Sequence, residues 1–64
     1  MELKKLAGGC EYDNCPAVHL TDRGSVIVIG TAVDDQAGLR VGPGEQAVEL
    51  PLALLEEAVS ELGR

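Results

Sequence analysis

The chain lacks the residues that build large cores and those that build positive surfaces. It has no tryptophan and no phenylalanine, and Tyr12 is its only aromatic residue. A core must therefore be assembled from Val, Leu, Ile and Ala, in a chain of 64 residues. Folding at that length buries only about 60% of the unfolded surface. Lys and Arg together number 5 against 11 Asp and Glu, for a net charge of -6. That balance opposes a phosphate backbone, whose charge has to be neutralised by cations, so no direct contact with nucleic acid is expected. No apolar run exceeds four residues, Val26 to Ile29 being one such run, against the roughly 18 to 20 of a membrane span. The opening Met1-Glu2-Leu3-Lys4-Lys5-Leu6 has no apolar stretch of about 7 to 15 residues such as a secretory signal carries. A cytoplasmic protein off the membrane is expected, and in a reducing compartment cysteines are more often free, metal-bound or redox-active than paired for structure.

What is present is a turn signal feeding an apolar strand. Thr21-Asp22-Arg23-Gly24 precedes Ser25-Val26-Ile27-Val28-Ile29-Gly30. Asp, Arg and a glycine free to take positive φ suit a hairpin joining Ala17–Leu20 to Ser25–Thr31. Side chains alternate across a strand, so Val26 and Val28 face one way while Ile27 and Ile29 face the other. Both faces are apolar. Only one amphipathic helix is available to cover a sheet, so the second face calls for a partner.

The remaining elements follow from punctuation and period. Residues 2–7 fit either a short strand or a helical turn, ended by Gly8-Gly9. Cys10 to Pro16 is a loop, since Glu11, Tyr12, Asp13 and Asn14 are polar or turn-forming and Pro16 disfavours a helical Cys15. Asp34 to Gly38 reads as a polar loop, Leu39-Arg40-Val41 as a short edge strand, and Gly42-Pro43-Gly44-Glu45 as a turn. Gln46 to Leu50 alternates as a strand, with Val48 and Leu50 on one face. Pro51 fits the first turn of a final helix and Gly63 a left-handed cap at its end. Between them Leu52, Leu55, Val59 and Leu62 recur at steps of three, four and three as one apolar stripe. The expected architecture is a single α+β domain over residues 1–64. It is a small antiparallel sheet of three or four strands with a C-terminal helix packed on one face.

Few residues are arranged for chemistry. Cys10, Cys15 and His19 stand in a C-x4-C-x3-H spacing of zinc-ligand types, with no fourth ligand in a compact knuckle pattern. A site closed by Asp13, Asp22, another part of the fold or a second subunit makes zinc an alternative to the absence of any cofactor. The same cysteines also lie close enough for a disulfide. Neither a C-x-x-C motif nor a helix N-terminus is placed to activate a thiol. Asp22 and Arg23 read as turn residues whose charges pair weakly across the hairpin. Asp34-Asp35 lacks the ligand pattern of a calcium loop, and Gly42-Pro43-Gly44 lacks the Lys-Ser or Lys-Thr of a phosphate loop. Glu56, Glu57 and Glu61 form a solvated helix face, or else an acidic face opposite a basic partner. No set of nucleophile, base and orienting group is present, so no enzyme is expected.

The run Cys15-Pro16-Ala17-Val18-His19-Leu20-Thr21-Asp22-Arg23-Gly24 continues into Val26-Ile27-Val28-Ile29-Gly30. Together with Pro43-Gly44-Glu45 and Val48-Glu49-Leu50-Pro51, it resembles a group of very small actinobacterial proteins encoded beside helix-turn-helix regulators, in the manner of BldB-like and WhiJ-associated developmental proteins. The similarity spans roughly Cys10 to Leu55. The group carries no catalytic residues to transfer, and His19 stands where an aromatic such as Tyr is expected. The resemblance implies a regulatory or accessory role with protein partners, a helix-turn-helix regulator among them. The residues and the resemblance together lead to the expectation of a non-enzymatic interaction module, homodimeric through Val26, Ile27, Val28 and Ile29. The alternative is a small zinc- or redox-responsive protein built on Cys10 and Cys15.

Overall fold

The computed structural model describes residues 1–9, 15–33 and 38–64. Among these described residues, five strands and one helix follow in order: β1 (Leu3–Gly8), β2 (Ala17–Thr21), β3 (Val26–Ile29), β4 (Thr31–Ala32), β5 (Val48–Glu49) and α1 (Leu52–Leu62). The first three form an antiparallel sheet in the order β1-β2-β3, and β4 pairs with β5 in a second antiparallel sheet of two strands. Helix α1 packs on β1 and β2. The fold is α+β, as the sequence pattern implies.

The hairpin between β2 and β3 is tied at its root by Thr21. Its backbone N–H donates to the Ser25 carbonyl at 2.9 Å, and its Oγ1 accepts from the backbone N–H groups of Arg23 at 3.1 Å and Ser25 at 3.3 Å. The two hydroxyls of Thr21 and Ser25 lie 2.7 Å apart in a further hydrogen bond. Thr21 is buried, so its hydroxyl answers donors that would otherwise lack a partner in the turn. Asp22 looks outward from this turn to β1. Its Oδ2 accepts from the Glu2 N–H at 3.2 Å, and its own N–H donates to the Glu2 carbonyl at 3.2 Å. Among the described residues this replaces the expected pairing of Asp22 with Arg23.

Cross-strand register sorts the side chains of the three-stranded sheet into two faces. Ala7, Val18 and Val28 lie in one row, with Leu20 and Val26 paired on the same face. The other face carries the row Lys5, His19 and Ile27, beside the pair Ala17 and Ile29. The β1–β2 ladder shifts register between Lys5 and Ala7, leaving Leu6 as an extra residue. Such a bulge breaks the alternation of faces, and consecutive Leu6 and Ala7 are both buried.

The core is small. Leu6, Ala7, Val18 and Ala58 form its buried cluster, with Leu20, Val28, Leu50 and Leu54 packed against it. Helix α1 therefore meets the sheet through Leu54 and Ala58, whose small side chain lets the helix axis lie close to β1 and β2. The stripe of Leu52, Leu55, Val59 and Leu62 was the surface expected to cover the sheet. Each of the four is instead exposed.

Other boundaries differ from the sequence reading. The segment expected as one strand from Ser25 to Thr31 is divided at Gly30, so that β3 and β4 belong to different sheets. Gln46 to Leu50 contracts to the two-residue β5, extended by a bond from the Val33 N–H to the Ala47 carbonyl at 2.9 Å. Leu39-Arg40-Val41 is not a strand, and neither sheet takes it up as a neighbour. That turn closes with Glu45 N–H donating to the Gly42 carbonyl at 3.0 Å and Glu45 Oε1 accepting from the Gly42 N–H at 2.9 Å. Pro51 serves as the N-cap of α1 rather than its first residue, with φ -61° and ψ 140°. Gly63 ends the helix at φ -81° and ψ 1°, not in the left-handed region, and its N–H donates to the carbonyls of Val59 and Ser60.

Candidate interaction surface

Of the four residues on the strand expected to form an interface, only Val28 is covered, where it packs on the core; Val26 shares its face but is left open. Val26, Ile27 and Ile29 are 38% to 49% exposed. Ile27 and Ile29 lie on the sheet face opposite Val28, the face that also carries His19 and Lys5. Both expected properties of the strand are therefore present: side chains on two faces, and apolar groups left open to solvent.

A second apolar surface is larger and was not recognised as such from the pattern. Leu52, Leu55, Val59 and Leu62 are 49% to 71% exposed, while Leu54 and Ala58 of the same helix meet the sheet. At 100° per residue the apolar arc runs from Leu54 through Ala58, Leu62, Leu55 and Val59 to Leu52, close to half the circumference of the helix. The sheet covers one edge of this arc only. Its width is the signal that shows more apolar helix surface than three short strands can cover.

Among the described residues the polar candidates do not converge. Cys15 is disulfide-bonded, and Cys10, the only other cysteine of the chain, lies outside the described residues, as do Asp13, Asp34 and Asp35. His19 is half-buried on β2, between Lys5 and Ile27 in register. A sulfur held in a disulfide offers no thiolate to a metal, so the Cys10, Cys15 and His19 set would require prior reduction. Among the described residues, no three His, Cys, Asp or Glu side chains are grouped to hold an ion. Glu56 is exposed, while Glu61 is half-buried and pairs with Arg64 at 3.7 Å. Glu57 is exposed too but accepts from the Gly8 N–H on β1 at 3.2 Å, so this one carboxylate of the acidic face joins helix to sheet.

Shallow clefts flank these elements. One of about 400 Å³ is lined by Pro16, Thr31, Glu49, Leu50 and Pro51; another of about 220 Å³ lies between Glu2 to Lys4 and Leu20 to Asp22. In the first, one hydroxyl and one carboxylate stand on paired positions of β4 and β5, and no histidine, cysteine or basic side chain is among the described residues that line it. No helix among the described residues is long and apolar enough to cross a membrane. No protein-family model, no curated protein and no solved structure matches this chain.

Proposed function

We propose that this chain is a non-enzymatic protein–protein interaction module that works as a homodimer, with a regulatory or accessory role beside a transcription regulator in the cytoplasm. The observation that carries the reading is apolar side chains left open to solvent: Val26, Ile27 and Ile29 on β3 and Leu52, Leu55, Val59 and Leu62 on α1 are 38% to 71% exposed. Two apolar surfaces are available for contact, β3 and the outer side of α1. A buried cluster in which Ala7 and Ala58 stand beside Leu6 and Val18 leaves a lone chain short of apolar burial, and a second subunit supplies more. The negative charge suits a basic protein surface, such as the DNA-contacting side of a helix-turn-helix regulator. The resemblance to small proteins encoded beside such regulators supports the same role. Sedimentation equilibrium on the native chain tests the reading: a mass of twice the chain is expected, and a monomer at high micromolar concentration overturns it.

A second reading is favoured by one observation, the disulfide at Cys15. In a reducing compartment a disulfide is a switch more often than a staple. The chain would then be redox-responsive, with Cys10 and Cys15 setting the state of the segment ahead of β2. Cys15→Ser abolishes any difference in association between oxidised and reduced protein if this holds. Identical mass and partner binding with and without reductant would eliminate it.

A further inference from the structure

We infer that the disulfide at Cys15 is a redox lock on helix α1: while closed it holds the corner of the sheet on which α1 sits, and its reduction lets α1 leave that corner. The inference rests on the redox-responsive reading above and names the element that the sulfurs control.

Within one chain the only sulfur that can pair with Cys15 is that of Cys10. The bridge therefore ties the chain leaving β1 to the chain entering β2, one residue beyond the bond from the Gly9 N–H to the Pro16 carbonyl at 2.9 Å. Among the described residues this corner is otherwise weakly held. Pro16 has no N–H, so its pair with Gly9 carries one bond where a hydrogen-bonded ladder pair carries two. Gly8 and Gly9 are fixed at φ +77° and +83°, and glycine gives up more backbone freedom on ordering than any other residue. A cross-link beside them removes much of the freedom that the open chain would regain.

The same corner receives α1. The Gly8 N–H donates to Glu57 Oε2 at 3.2 Å, and Leu54 Cδ1 lies 3.0 Å from the place a Gly8 Cβ would take. Leu54 also packs on the core that contains Ala58. Gly8 is thus one residue from the Pro16 bond on one side and in contact with the helix on the other. A helix of 11 residues is marginal without a surface to pack on. Loss of the Gly8 contacts therefore weakens α1 along its length.

The switching step is thiol–disulfide exchange with a dithiol reductant. One thiolate of the reductant attacks a sulfur of the bridge, and the Cys10–Cys15 S–S bond breaks as a mixed disulfide forms. The second thiol of the reductant resolves it. The chain leaves with two thiols, having gained two electrons and two protons, and the reductant leaves as a disulfide. Cys15 is half-buried rather than enclosed, as a sulfur open to exchange must be.

The test is amide hydrogen exchange by NMR on the full chain, oxidised and after reduction with dithiothreitol, with sedimentation equilibrium on the same samples. Reduction is expected to speed exchange at Val59, Ser60 and Glu61 of α1 by about tenfold while His19 and Ile27 stay protected. A Cys10→Ser, Cys15→Ser double variant is expected to match the reduced protein and to ignore dithiothreitol. Oxidised Glu57→Ala is expected to show part of the acceleration already and to gain less from reduction. Acceleration confined to Gly9 and Ala17, with α1 unchanged, overturns the lock; a mass that still responds to reductant then leaves the redox-responsive reading standing. Equal acceleration in α1, β2 and β3 also overturns it, the bridge being a staple of the whole fold. An undiminished effect of reduction in Glu57→Ala overturns the coupling through Gly8. Identical exchange and mass in both states removes the inference and the redox-responsive reading together.

Discussion

The backbone N–H of Gly8 donates to Glu57 Oε2 at 3.2 Å, a bond between residues 49 positions apart that fixes the last strand position of β1 to the second turn of α1. A carboxylate accepting a backbone N–H makes a charge-assisted bond, weakened here by exposure. Glu57→Ala is expected to be less stable than Glu56→Ala by about 1 kcal/mol in urea unfolding. The two variants share the same gain in helix propensity, so their difference reads the bond. Equal midpoints would show that Glu57 contributes nothing there.

Gly8 has a second constraint. It sits at φ +77°, and a Cβ there would run into the Pro16 carbonyl oxygen and lie 3.0 Å from Leu54 Cδ1. Gly24 shares the same φ, +77°, with nothing within 4 Å of its would-be Cβ. Gly24→Ala is therefore expected to cost only the left-handed conformation, about 1 to 2 kcal/mol. Gly8→Ala adds a backbone collision and should exceed it clearly in chemical denaturation. Equal losses would refute the steric part of the argument.

Thr21 offers a test of the hairpin root. Thr21→Val keeps the shape and removes the acceptor of the Arg23 and Ser25 N–H groups, with an expected cost of about 1 to 3 kcal/mol. Ser25→Ala removes only the hydroxyl partner and should cost less. Hydrogen exchange at the Arg23 and Ser25 amides is expected to accelerate in Thr21→Val alone.

Ala58 sets how near the helix lies to the sheet. It is 2% exposed, and Ala58→Leu inserts a larger side chain against Ala7 and Val18, expected to cost about 1 to 3 kcal/mol through overpacking. A stable Ala58→Leu variant with an unchanged melting temperature would mean that α1 can ride outward freely.

The sequence showed the hairpin and the helix because their determinants are local. Asp22-Arg23-Gly24 carries its own turn chemistry, and Pro51 and Gly63 bracket a stretch with no breaker inside. It showed neither the strand character of residues 3–8 nor the orientation of α1. In β1 the bulge at Leu6 destroys the period of two, so the alternation that marks a strand was absent. In α1 the four long side chains drew the expected core face toward themselves. The sheet instead accepts Leu54 and the small Ala58, a choice made by close approach to β1 and β2 rather than by hydrophobicity. Val26, Ile27 and Ile29 were legible as exposed because a sheet of three strands has too little cover for both faces. The bond from Gly8 to Glu57 had no local sign at all.

The packing of α1 on β1 also sets the pace of folding. Leu6 and Ala7 are covered by Leu54 and Ala58, which stand far along the chain from them, and contacts of such separation form only once the loop entropy between them has been overcome. The sheet therefore has no lid until α1 docks, and that docking is the step that completes the core.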